Sequence, residues 1–245
     1  MTTPKKRAAA EAKSPVKPPA KPTAKRPERL YAGRSAAERV DERRDRLIDA
    51  GFELFATRGY RKTTIGILCA RARVATRDFY AAFPTRDTLL EAVLARVMGE
   101  TRAAVMEALA DAAGDPVRMM ESGLAAFVHA YLDDPRRARI VLVETSGVSR
   151  EMTLRRRAYM HEFASVIETN ATMLAERGEL LPRDFSLGAL ALAGSVHELM
   201  MESVYAASPP SIDAVLAECR RLFSAAMAWE GAKDRPDSSA ARKAR

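Results

Sequence analysis

Between residues 46 and 90 the apolar side chains recur at steps of three and four, but turn residues break the run twice, which leaves room only for short helices. The first carries Leu47, Ile48, Gly51, Phe52, Leu54 and Phe55 along one face. Upstream, Ser35-Ala-Ala-Glu38 has capping-box spacing, a hydroxyl at the N-cap and a carboxylate three positions on. Gly59 supplies the backbone freedom of a C-terminal cap, and Tyr60 can fold back on the last turn. Thr63 and Thr64 are N-cap candidates for a second helix with Ile65, Leu68, Cys69 and Ala72 inward. After a tight turn, a third helix packs through Val74, Phe79 and Phe83. Pro84 ends it, and Thr85 caps the next.

Helices joined by so short a turn form a helix-turn-helix, and the polar residues of this stretch face away from the apolar ones. Thr76, Arg77 and Asp78 occupy the early turns of the third helix, the part of a recognition helix that meets base edges in the major groove. The planar fork of Arg77 fits guanine O6 and N7. Asp78 has two readings: it accepts from a cytosine amino group, or it is a local cap and partner of Arg77. Tyr80, Thr63, Thr64 and Arg86 belong near phosphates. Thr64 and Arg86 each lie at a helix start, where backbone N–H groups also favour an anion.

The segments Ala50-Gly-Phe-Glu-Leu-Phe-Ala-Thr-Arg-Gly-Tyr60, Thr63-Thr-Ile65 and Phe79-Tyr-x-x-Phe-Pro-Thr-Arg-Asp-x-Leu-Leu90 together resemble the N-terminal domain of TetR-family transcriptional regulators. Two positions depart from that pattern. Arg73 stands where the family has Gly in the turn and adds a candidate phosphate contact. Ala75 stands where Ser or Thr caps the recognition helix, a loss worth about 1 kcal/mol. The resemblance implies an all-α protein, with a three-helix DNA-binding domain (residues 35–88) followed by a helical effector-binding and dimerisation domain (residues 89–230). It also implies a sequence-specific regulator, a ligand-responsive repressor on a palindromic operator.

Composition agrees with that architecture. A chain of 245 residues, 47% hydrophobic, buries a domain-sized core and a second one. It has no apolar run long enough for a transmembrane span and no apolar segment after its basic start, which points to a cytoplasmic, nucleoid-associated protein without a membrane partner. Two cysteines, Cys69 and Cys219, both on apolar helical faces, suggest no disulfide framework. No metal or cofactor motif is present.

The net charge of +8 is unevenly distributed. Residues 1–34 hold ten Lys or Arg against Glu11 and Glu28, whereas residues 35–88 carry eleven basic and eight acidic side chains. The tail intersperses six prolines among Ala and Lys, so it is expected to be disordered. It either lies along phosphates, raising affinity in a salt-dependent way, or is simply solvated. Its last part, Arg29 to Arg34, has the composition of a minor-groove arm. Residues 231–245 form a second polar tail.

Beyond Thr85 the pattern is that of a bundle. One helix runs to about Ala112, roughly 42 Å at 1.5 Å per residue. Asp115-Pro116 and Asp134-Pro135 each read as N-cap and N1 of helices of about 17 and 9 residues. A long helix spans Ser149 to Glu176, and two more occupy 187–205 and 212–229. The last two suit a homodimer: the first has small residues at nearly every turn, and the second has more apolar surface than one neighbour covers. By resemblance they form a four-helix interface; the alternative is ordinary intramolecular core. Between the helices an effector pocket for a small, largely apolar molecule would draw on Phe127, His129, Tyr131, Tyr159, Met160, Phe163, His197, Met200, Met201 and Tyr205. Each of these is equally at home as plain core.

Two other classes compete. An architectural DNA binder would rely mainly on the basic tail. An all-α enzyme has little behind it: His129, His161 and His197 are far apart, and no phosphate loop, nucleophile elbow or Cys-x-x-Cys occurs. His197-Glu198 are adjacent on a helix and so point about 100° apart.

Overall fold

In the computed structural model, residues 36–233 are described, and among them every regular element is helical. The readings of the 1–34 tail and of the Ser35 cap lie outside this range, as does the 231–245 tail beyond its first residues. Three helices come first: α1 (Ala36–Arg58), α2 (Ile65–Ala72) and α3 (Thr76–Ala82). Then follow α4 (Arg86–Asp111), α5 (Pro116–Leu132), α6 (Pro135–Ala138), α7 (Arg150–Glu176), α8 (Ser186–Tyr205) and α9 (Ile212–Lys233).

The start signals work as read. Thr85 Oγ1 accepts from Thr88 N, and Thr88 reciprocates to Thr85 N, closing a capping box on α4. Asp115 and Asp134 cap α5 and α6, each with Pro at N1, and Ser149 caps α7 by accepting from Met152 N. Two readings need correction. The helix after Asp134 keeps α geometry for only four residues and continues as a π-helical turn, Arg139–Glu144. Such turns lie beyond the reach of apolar periodicity and often mark functional segments. The last helix also runs to Lys233, past the stop expected at residue 229.

Two apolar cores organise the molecule. The first holds Leu47, Phe55, Leu68, Phe79 and Phe83 from the three N-terminal helices and Leu89, Leu90, Val93 and Leu94 from α4. It also takes in Ile140 of the π turn and Met152 of α7, so elements of the bundle complete it. The second core joins α4, α5, α7, α8 and α9 through residues such as Val97, Val128, Ile167, Val196 and Cys219. Gly123 lets α4 and α5 approach closely, since a Cβ there would meet Leu109 Cδ2 at 3.0 Å. Cys69 and Cys219 are both buried free thiols, and burial pushes the Cys219 thiol up to about 11.

Candidate DNA-reading face and effector cavity

Helix α3 is anchored by Phe79, which is fully buried and lies 6.2 Å from Phe83, centroid to centroid. On the opposite side Thr76, Arg77 and Tyr80 are exposed, Tyr80 by 54% with its ring edge-on to Phe79. Ala75 takes the N-cap position with extended backbone and no side-chain bond, which leaves the first N–H groups of α3 open to solvent or a ligand. Arg73 ends α2 in the left-handed region at φ 53°, ψ 48°. The turn thus keeps the geometry for which Gly is favoured, at a strain on the order of 1 kcal/mol, and the Arg73 side chain is exposed beside α3. Thr64 is the cap of α2, its hydroxyl accepting from Ile67 N at 3.4 Å.

Three sequence-chosen contacts are reassigned. Thr63 is fully buried, and its hydroxyl donates to Gly59 O at 2.8 Å, so it braces the turn and faces no phosphate. Asp78 pairs with Arg43 of α1, Nε to Oδ2 at 3.9 Å, in place of Arg77. Arg86 donates to Thr63 O at 2.7 Å and lies 4.1 Å over the Tyr60 ring, which commits its guanidinium to holding the turn. Sequence reasoning also passed over Arg61 and Lys62, exposed immediately before the Thr64 cap. The available signal was a basic pair between a helix-ending Gly and a helix-starting Thr. Arg61, Lys62, Arg73 and Arg77 are among the exposed cations around this face that enter no ion pair among the described residues.

In the bundle a cavity of about 260 Å³ opens between α4, α5, α7, α8 and the π turn. Of the residues expected to line it, Phe127, Tyr131, Tyr159, Met160, Phe163, His197 and Met200 do so. The others do not. His129 is exposed and bound to Asp133 at 3.0 Å, Met201 packs into the second core, and Tyr205 is 62% exposed. Helical phase explains the first: Phe127 and Tyr131 share a face that His129 does not. Sequence reasoning missed Met98, Val141, Leu142, Thr153, Arg156, Arg157 and Ala193. The triplet Arg155-Arg156-Arg157 was the visible clue, because three successive arginines on a helix cannot all face solvent in the same way.

The walls are apolar, with a few polar groups. Burial holds the Tyr131 phenol at about 12, and its hydroxyl donates to Met98 Sδ at 3.0 Å. His197 is held below its usual range, first by burial and then by the positive charge of Arg156. A second cavity of about 290 Å³ adjoins the first and shares Met98, Phe127, Tyr159 and Phe163 with it. Between the two, Phe127 and Phe163 stack at 3.9 Å and 11°.

The cavity and the reading domain are physically connected. Val141 and Leu142 of the π turn line the cavity, and Glu144 ends the same turn. Its Oε2 accepts from Tyr60 N at 2.7 Å, and its Oε1 accepts from Arg139 Nε at 3.0 Å. Glu144 lies against Gly59, whose φ of +89° and missing Cβ leave room for the carboxylate. Tyr60 in turn packs edge-on to Phe55 at 5.4 Å and donates its hydroxyl to Asp87 of α4.

A three-helix domain whose third helix exposes Thr76, Arg77 and Tyr80, carried on a bundle with its own cavity, has the architecture of a helix-turn-helix domain joined to a helical body. Residues 47–93 match the family described as bacterial regulatory proteins, tetR family. No curated protein matches the chain. Among solved structures the fold is shared with the transcriptional regulator FadR of Bacillus subtilis in complex with stearoyl-CoA, at a TM-score of 0.66 and 16% identity, over 75% of this chain and 97% of that one. It is also shared with the fatty acid degradation regulator FadR of Bacillus halodurans (TM-score 0.65, 16% identity, 76% and 94% covered). A third match is AibR in complex with isovaleryl coenzyme A and operator DNA (TM-score 0.60, 16% identity, 74% and 98% covered). No helix among the described residues is long and apolar enough to cross a membrane.

Proposed function

We propose that this regulator is a ligand-responsive repressor that binds a palindromic operator as a homodimer. The observation that carries the DNA-reading part is α3 itself, with Phe79 fully buried on one side and Arg77 and Tyr80 exposed on the other. Arg77 reads a base, Thr76 and Tyr80 flank it, and Thr64, Arg73, Arg61 and Lys62 meet phosphates. Arg77→Ala is expected to lower operator affinity about tenfold to a hundredfold, the 1–3 kcal/mol of one bidentate base contact, with less effect on random DNA. Sites selected from random DNA supply the operator for that measurement. An unchanged affinity would remove Arg77 from the reading face.

For the dimer, α8 offers Leu187, 79% exposed, in register with exposed Ala191 and Gly194, where an added Cβ would meet nothing within 4 Å. Exposed Glu198 and Glu202 on α8 complement exposed Arg220 and Arg221 on α9. Pairing these helices with their copies sets two reading helices about 34–36 Å apart, one turn of DNA. A gel-filtration mass of one chain would sink this geometry. A specific regulator also keeps a large affinity ratio between operator and random DNA at fixed salt, which an architectural binder lacks.

A largely apolar effector fills the cavity and acts on the reader by two routes: α4, which carries Met98 at the cavity and Arg86 at the turn, and the π turn, which carries Val141 and Glu144. Binding of effector and operator is then reciprocal, each weakening the other by the same factor.

A further inference from the structure

The three arginines at residues 155–157 have different surroundings. Arg155 pairs with Glu91 of α4 at 3.4 Å. Arg156 is half-buried at the first cavity, and its one polar partner among the described residues is the neutral Ser146 hydroxyl, at 2.9 Å. Arg157 lines the same cavity without an ion pair among the described residues. Thr153 and Arg157 line this end yet stay exposed, so it is the mouth; Tyr131, Leu142 and Met200, all nearly inaccessible, form the floor. A guanidinium removed from water without a carboxylate is costly, and burial does press the Arg156 group below its usual range. The second cavity lacks such a charge, because Arg102 and Glu162 on its wall neutralise each other at 2.5 Å. The adjoining cavities therefore have one uncompensated positive end, and beyond it an apolar path interrupted only by the Phe127–Phe163 stack.

We propose that the effector is an anionic amphiphile, with its acidic group held at the mouth by Arg156 and Arg157 and its apolar chain running inward past Phe127 and Phe163. This rests on the effector-cavity reading above and adds the chemistry of the ligand. The anion is either a free carboxylate or the phosphate of a thioester conjugate, since both satisfy the same guanidinium pair. The stacked rings are the movable partition, because two half-buried aromatics with cavity on both sides can swing apart at little packing cost.

Calorimetric titration of the full chain without DNA, below micelle-forming concentrations, tests the proposal with dodecanoate, dodecanoyl coenzyme A and dodecanol. At least one anionic probe is expected to bind tenfold or more tighter than the alcohol. Arg156→Gln should erase that preference and Arg156→Lys should keep most of it, with both variants melting like the parent. From hexanoate to dodecanoate affinity should rise about fourfold per methylene until the chain is housed. Val166→Trp, which fills the second cavity, should abolish the gain of the longer chain and spare hexanoate. Which anionic probe binds identifies the source of the anion. Equal binding of acid and alcohol, a preference that survives Arg156→Gln, or no binding of any probe would overturn the proposal. If a probe binds as expected but leaves operator affinity unchanged, the responsive-repressor reading fails and the ligand assignment stands.

Discussion

The three-helix N-terminal part and the bundle are both helical and packed through apolar side chains, but they use their polar groups differently. In the first, the charged side chains that brace the turn are tied down: Arg43 to Asp78, Arg71 to Glu53, Arg86 to Thr63 O, and Glu144 to Tyr60 N. Arg61, Lys62, Arg73 and Arg77 stay exposed beside α3 with no ion pair among the described residues. In the bundle, cavities of about 260 and 290 Å³ interrupt the packing, and Arg156 faces one of them without a counter-ion. A reader of base edges needs fixed geometry, whereas a sensor needs space and a local imbalance that a ligand can correct. Domain stability is expected to follow the same division.

The largest expected effect tests that division directly. Phe79→Ala empties a fully buried site and should cost about 3–5 kcal/mol, abolishing cooperative melting of the N-terminal domain. Phe163→Ala, at a wall that already borders two cavities, should cost less than half as much in the same thermal unfolding experiment. Equal losses would mean that the cavity walls are as rigid as the first core. Next comes the link between the regions. Glu144→Ala leaves Tyr60 N without its charged acceptor, a change worth about 1.5–3 kcal/mol where the group is buried. Operator affinity should persist while its response to effector falls severalfold; a full response would place the coupling in α4 alone.

A smaller effect is expected at the turn. Arg73→Gly relieves the left-handed strain and should stabilise the domain by up to about 1 kcal/mol in denaturant unfolding, offset in part by the freedom Gly gains when unfolded. Loss of stability would show that the Arg73 side chain itself anchors the turn. The smallest effect concerns pH. His197 is held below its unfolded value of about 6.5, so the unfolded chain binds more protons as pH falls through that value. Stability contributed by neutral His197 is complete above the unfolded value and declines below it. His197→Gln should flatten the slope of unfolding free energy between about pH 7 and 5, and an unaltered slope would assign it to other groups.

Most of the fold can be read in the chain because the signals are local. Capping at Thr64, Thr85, Asp115, Asp134 and Ser149 depends on residues within one turn, and apolar periodicity correctly set the inward faces of α1, α2 and α3. The π turn was not legible, since a single wider turn does not disturb a short apolar pattern. Roles that depend on distant partners were misjudged: Thr63 and Arg86 look like phosphate ligands until Gly59 O and the Tyr60 ring are seen beside them. The aromatic wall of the cavity was anticipated from residue type. Its charged mouth was not, because Arg155, Arg156 and Arg157 differ only in what each helical phase brings near.

The sequence by itself determined an all-helical chain, a short-turn three-helix head with Phe79 inward and Arg77 outward, and the starts and stops of most of the helices that follow. These depend on backbone propensity and spacing within a few residues, which any segment carries with it. Tertiary structure alone decided which polar groups are occupied and which are free. Glu144 reaches Tyr60 across 84 residues of chain, while Arg156 meets the neutral hydroxyl of Ser146. The pairing of a charge depends on which helices pack together, and that is a property of the whole fold.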